Sequence, residues 1–194
     1  WIFLTSTQHI IQRVQSTRAG NSWWGTLVRQ PRSFFGMHLA HVGLAVFVVG
    51  VAVLTAYQNE KDVKMDVGDT VTLAGYSMRF NGVTSANGPN YTAQKGDLDL
   101  LKNGRAMRKM LPEKRHYFSS SMPMTEAAID SGFWRDVYVA LGEPIDKSKP
   151  EAAWAVRVYH KPFVNWIWGG CLLMALGGAL ALTDRRYRAR KDKA

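Results

Sequence analysis

Two histidines lie three residues apart in a stretch of chain that carries no charge: His38 and His41, within Phe34-Phe-Gly-Met-His-Leu-Ala-His-Val-Gly-Leu-Ala-Val-Phe-Val-Val-Gly-Val-Ala-Val-Leu-Thr-Ala-Tyr57. On a helix an i, i+3 pair projects to one side, and an ionisable side chain in an apolar helix is costly enough to mark a functional candidate. Neutral imidazole can serve as an axial base for a haem iron, with its tautomer fixed by whatever its second nitrogen meets. It can equally donate a hydrogen bond to a hydroxyl or carbonyl of a neighbouring helix. Spacing permits both readings.

The elements that must position these residues follow from hydropathy. The 24 residues from Phe34 to Tyr57 contain no Asp, Glu, Lys or Arg, and as a helix they span roughly 36 Å, enough for a hydrocarbon core of about 30 Å. A second uncharged run, Pro162-Phe-Val-Asn-Trp-Ile-Trp-Gly-Gly-Cys-Leu-Leu-Met-Ala-Leu-Gly-Gly-Ala-Leu-Ala-Leu182, places Trp166 and Trp168 near one end like an interfacial aromatic belt. Along the first helix, Gly36, Ala40, Gly43 and Gly50 form a small-residue stripe beside His38, His41 and Ala45. Such a stripe lets helix backbones approach closely, and it also leaves room beside an imidazole for a flat macrocycle. The opening segment from Trp1 to Val14 reads as the polar end of an upstream apolar element, so the chain reads as the C-terminal piece of a larger polytopic protein.

The net charge of +10 invites a nucleic-acid reading that its distribution rejects. Arg13, Arg18, Arg29 and Arg32 precede the first apolar run, while Arg185, Arg186, Arg188, Arg190, Lys191 and Lys193 follow the second against only Asp184 and Asp192. The segment between the runs is close to neutral and has no basic face interleaved with aromatics. Positive-inside bias accounts for the excess and puts both basic flanks in the cytoplasm. The expected organisation is therefore residues 1–33 as the end of an upstream helix and a basic cytoplasmic segment, and 34–57 as a transmembrane helix. Residues 58–161 form a β-rich domain on the opposite, periplasmic side; 162–183 form a second transmembrane helix and 184–194 a basic cytoplasmic tail. The lone Cys171 falls inside the second helix, where it reads as a packing residue.

Residues 58–161 alternate with period two in Asp69–Gly82, Arg135–Gly142 and Ala153–His160, with Asn81-Gly82, Asn87-Gly-Pro89 and Asn103-Gly104 as turn signals. Seven or eight short strands at this spacing predict an antiparallel sandwich or partial barrel. Met124–Ile129 reads as one helical turn capped by Thr125. The expected fold class is thus membrane α+β, with transmembrane helices flanking a β-rich domain.

The remaining histidines read more plainly: His9 as solvated, His116 and His160 as surface or core-edge residues near strand ends. Lys114, Arg115, Tyr117 and Arg135 read as a solvated strand face, with haem propionates or an acidic partner as the alternative. No Ser-His-Asp order, HExxH, phosphate loop or CxxC occurs, which excludes a free-standing hydrolase or kinase.

Gly36-Met-His-Leu-Ala-His-Val-Gly43, Met122-Pro-Met-Thr-Glu-Ala-Ala-Ile129 and Arg135-Asp-Val-Tyr-Val-Ala-Leu-Gly142, in that order, resemble the C-terminal region of the CcmF family, the bacterial inner-membrane haem lyase subunits of cytochrome c maturation. The related subunit for nitrite reductase assembly is the nearest confusable relative. The resemblance implies a complex that takes haem from the chaperone CcmE. With a CcmH-type partner presenting reduced Cys-x-x-Cys-His apocytochrome c, the complex joins haem vinyl groups to the two thiols. It further implies a permanent b-type haem (haem b) held by two transmembrane histidines, one upstream of this chain and one on the helix 34–57. His41, within Leu39-Ala-His-Val-Gly43, matches that position, with His38 as the fallback. The family's Trp-rich haem-holding segment lies upstream; Trp23-Trp24, in the basic flank, is not that segment. Electron input from quinol belongs to the same picture. This chain alone is expected to be inactive as a lyase, and the alternatives are a non-catalytic assembly or docking module and, less favoured because the second helix offers only Asn165 and Cys171, a haem permease.

Overall fold

The computed structural model describes residues 1–16, 22–120, 122–146 and 153–184, in two units. One is helical. It holds α1 (Ile2–Ser16), α2 (Trp23–Val28), α3 (Arg32–Tyr57, all but its last turn) and α4 (Val164–Leu182). The other, Val53–Phe163, is built of strands.

α3 and α4 are both long and apolar enough to cross a membrane, and glycine fixes how they meet. A Cβ placed on Gly36 would lie 2.5 Å from the Gly177 carbonyl oxygen, and one on Gly43 would lie 2.8 Å from the Gly170 carbonyl oxygen. The glycines recur every seven residues on each helix and pair in antiparallel order, so the backbones touch where any side chain would collide. The small-residue stripe is therefore filled by α4. The macrocycle expected beside it would have no room there. At the start of α3, where the first N–H groups lack partners within the helix, Ser33 donates its amide to Asp184 Oδ2 at 3.0 Å. The carboxylate is buried, and it meets the positive end of the helix dipole. Asp184 thus closes α3 from the far end of the sequence, while the rest of the expected tail, 185–194, lies outside the described residues. Cys171 sits on the exposed side of α4 rather than in its packed seam.

The strand unit contains ten strands among the described residues, more than the seven or eight expected, all paired antiparallel. β1 (Asn59–Asp66), β10 (Ala153–Pro162), β9 (Arg135–Pro144) and β8 (Ala128–Ser131) form one sheet in that spatial order. β2 (Thr70–Leu73), β3 (Tyr76–Asn87), β4 (Tyr91–Lys102), β6 (Glu113–Tyr117) and β7 (Met124–Glu126) form the other, with β5 (Arg105–Met110) also on β4. Alternation puts every second side chain inward. Met65, Val137, Val139, Leu141, Trp154, Val156 and Val158 from the first sheet meet Val71, Met78, Phe80, Leu98, Leu100 and Met110 from the second. The outcome is a sandwich, one of the two expected architectures. Asn103 and Gly104 both take positive φ between β4 and β5, the tight turn that their dipeptide predicts.

The helical turn expected at Met124–Ile129 is instead two strands. Glu126 pairs with Glu113, and Ala128 pairs with Val139, so the chain passes from one sheet to the other at Ala127. Pairing on both sides outweighs the helix preference of a Glu-Ala-Ala run too short to nucleate.

Candidate functional site

The two histidine candidates on α3 part company in the structure. His38 is buried and His41 exposed, although both line one groove with Thr5, Ser6, His9 and Met37. Three residues advance a helix by 300°, and the edge of the α1 contact falls within the remaining 60°. His38 turns toward α1: its Nε2 lies 3.4 Å from Nδ1 of His9, and its ring meets Phe34 edge-on at 4.5 Å. His38 Nδ1 is buried with no hydrogen-bond partner among the described residues. His9, expected to be solvated, is exposed yet places its ring 5.4 Å from that of His38. Nothing in the sequence between residues 9 and 38 marks this pairing.

His41 is arranged otherwise. Its Nδ1 donates to the carbonyl oxygen of Met37 at 2.7 Å, one turn back on the same helix. That bond puts the proton on Nδ1 and leaves the Nε2 lone pair facing outward. A carbonyl-anchored Nδ1–H is the usual support for a metal-ligating imidazole, because it fixes both tautomer and ring orientation. Met37, His41, Leu44 and Val48 form an exposed stripe on α3. The donor fits as one ligand to a haem iron, which His41 would hold through Nε2. The groove, about 240 Å³, falls short of the roughly 300–1,000 Å³ of an enclosing ligand pocket, so the chain offers a ligand and one wall. Among the described residues no three His, Cys, Asp or Glu gather as a site for a bare metal ion.

In the strand unit the cations proposed for an acidic ligand are already engaged. Lys114 is buried, and its Nζ donates to the Gly142 carbonyl at 3.2 Å and to the Glu143 carboxylate, joining the two sheets. Arg115 bonds Glu113 at 2.8 Å, pairs with Glu126 at 3.7 Å and lies over the Tyr91 ring. Arg135 donates Nε to Tyr76 Oη at 2.8 Å and Nη1 to the Asp130 carbonyl at 2.9 Å, while Lys102 reaches the same phenol at 3.3 Å. Burial alone would raise the Tyr76 pKa, but the two cationic donors outweigh it and hold the phenol below its ordinary range. His160 stacks on Tyr76 with ring centroids 6.2 Å apart. Burial, then the charge of Arg135, pushes its pKa down. His116 is exposed. Lys114 and Arg115 are thus held by carboxylates, and Arg135 belongs to a separate cluster with Tyr76, Asp130 and Lys102, so they form neither a solvated face nor a propionate clamp. Sequence reading missed both sets because the partners come from β3, β4, β6, β7, β8, β9 and β10.

A family model described as "CcmF C-terminal beta-sandwich" matches residues 56–162. The chain is 52% identical over 159 residues to the cytochrome c-type biogenesis protein CcmF of Pseudomonas aeruginosa, covering 82% of this chain and 24% of that protein. Against the CcmF of Escherichia coli K12 it is 46% identical over 158 residues, 81% of this chain and 24% of that protein. Cytochrome c-type biogenesis protein NrfE of Haemophilus influenzae is 32% identical over 159 residues. A solved structure titled cytochrome c heme lyase CcmF shares the fold with a TM-score of 0.71 at 17% identity, over 93% of this chain and 29% of that one. The chain thus spans about a quarter of the length of these relatives. With that match along most of its length, the chain belongs to the CcmF family of cytochrome c-type biogenesis proteins, as a C-terminal region carrying the family's β-sandwich.

Proposed function

We propose that this chain is the C-terminal part of a cytochrome c haem lyase subunit and that His41 would hold a resident b-type haem through Nε2. The observation that carries the assignment is the Nδ1–H bond from His41 to the Met37 carbonyl, which leaves Nε2 free on an exposed stripe. His38, engaged with His9 and Phe34, instead braces α1 against α3. In this reading the chain would supply one of the residues that hold the haem. When bound, a b-type haem supplies a one-electron store that can keep the iron of the incoming haem reduced during thioether formation, with quinol as the electron source. Met37 orients the His41 ring, and the α3–α4 glycine seam holds the ligand helix in place. In this reading α3 and α4 cross the bacterial inner membrane, residues 58–161 lie in the periplasm and the C-terminus in the cytoplasm. The sandwich then serves as a surface for the CcmH-type subunit, CcmE and apocytochrome c. The two long apolar helices and the clustering of arginine and lysine outside them support this topology.

Reduced-minus-oxidised spectra of the purified full-length protein test the ligand. We expect His41→Ala to lose the b-type signal and cytochrome c yield together, and His38→Ala to keep the signal. An unchanged spectrum for His41→Ala overturns the assignment.

A further inference from the structure

The hairpin between β8 and β9 ends in two consecutive aromatic residues that the sandwich core does not absorb. Phe133 is 66% exposed and Trp134 60%, and their rings meet edge-on at 4.8 Å. The tip is rigid. Asp136 Oδ1 accepts from Ser131 Oγ at 2.9 Å and from the Gly132 amide at 3.1 Å, and Arg135 Nη1 holds the Asp130 carbonyl across the turn. A rigid tip presents its rings without ordering cost, which is how an anchor gains affinity.

Its place along the chain names the surface it meets. Trp134 accepts the Phe163 amide at 3.0 Å, and the two rings lie 5.6 Å apart. Phe163 immediately precedes Val164, the first residue of the apolar helix α4. The Trp134 ring therefore packs on the residue that immediately precedes α4 in the chain. The chemistry fits that level. Trp and Phe favour the boundary between headgroups and acyl chains, where one edge of the indole stays wet and the ring is buried. Trp166 and Trp168 in the first turns of α4 add aromatics at the same sequence level. Lys161 lies two residues before Phe163, a cation that suits lipid phosphate. A second exposed aromatic, Phe118 (72% exposed), provides the contrast. Its amide bonds Asn90, at the Tyr91 end of β4, about 36 Å along that strand from Lys102, which sits by Tyr76 and Arg135.

We propose that the Phe133–Trp134 tip is a lipid-interface anchor, inserted at headgroup depth on the sandwich side of the bilayer that α4 crosses. The proposal rests on the reading of α4 as a membrane span. Its test uses the full-length protein in phosphatidylcholine–phosphatidylglycerol vesicles, with Cys171→Ala and any other reactive thiols removed. A nitroxide is attached in turn to Phe133→Cys, Phe118→Cys and Leu172→Cys, and its relaxation is measured with oxygen, which partitions into lipid, and with a neutral nickel chelate, which stays in water. The expected result is a several-fold higher oxygen-to-nickel ratio at 133 than at 118, with 172 higher still. A ratio at 133 equal to that at 118, with 172 high, overturns the anchor and leaves the membrane span intact. Protection of 133 from both reagents overturns it in favour of a protein contact. A low ratio at 172 overturns the span and the anchor with it.

Discussion

The helical unit and the sandwich solve the same packing problem with opposite side chains. In the helices the contact is made by residues that have none: Gly36 against Gly177 and Gly43 against Gly170, with backbones touching. In the sandwich it is made by the bulkiest, with Trp154, Phe80, Met65 and Met78 almost wholly buried between sheets. Sheets pack about 10 Å apart and need side chains to fill that layer. Helices surrounded by lipid gain little from burying more hydrocarbon, so close approach and many small van der Waals contacts hold them. One unit therefore tolerates no additions, the other no deletions.

Four substitutions test that contrast. Trp154→Ala removes the largest fully buried side chain and should destabilise the sandwich by about 3–5 kcal/mol. The chemical unfolding midpoint of the strand unit should fall sharply while helix content is kept; an unchanged midpoint would show that the core collapses around the loss. Gly177→Ala adds one methyl where Ala40 N and the Gly36 carbonyl oxygen would each lie 2.6 Å away, and should cost the helical unit about 1–3 kcal/mol. Detergent-dependent melting should drop for the helices and not for the sandwich. If both units fall together, the two do not pack independently. Asp184→Ala removes the acceptor for the Ser33 amide and should cost about 0.5–2 kcal/mol, the range of a lost helix cap. Faster hydrogen exchange confined to the first turn of α3 would report it, and uniform exchange along α3 would contradict a local cap.

The smallest effect depends on pH. His160 is held below its ordinary value of about 6.5 by burial and by Arg135. The unfolded chain therefore takes up this proton at a higher pH than the folded one. The contribution to stability is complete above about pH 6.5 and is lost as pH falls through the folded pKa. Sandwich melting temperature should decline between pH 7.5 and 5, and His160→Gln should flatten the decline. An identical slope in the variant would assign the acid sensitivity to another group.

Much of this is legible in the sequence. Charge-free length exposes α3 and α4, and period-two alternation exposes β3, β9 and β10, because each pattern repeats within a single element. What was not legible lies between elements. The i, i+3 spacing of His38 and His41 fixes their mutual angle but not where α1 lies, and that position buries one ring and leaves the other exposed. The glycine stripe declares a close approach without saying whether helix or cofactor fills it. Met124–Ile129 carries helix-forming residues whose fate is decided by Glu113 and Val139, its pairing partners in two different sheets. Asp184 reads as a stray acid in a basic tail until Ser33, far away in sequence, turns out to bond it.

The pairing of β1 with β10 begins at Asn59 opposite His160, so the end of α3 and the start of α4 leave the sandwich from neighbouring strands. Folding of the sandwich therefore works as an entropic clamp. Before it forms, bringing α4 to α3 means closing a loop of about 100 residues; afterwards only a few residues separate the two, which lowers the closure entropy by roughly 2–3 kcal/mol. The glycine seam therefore forms at lower entropic cost once β1 and β10 are paired.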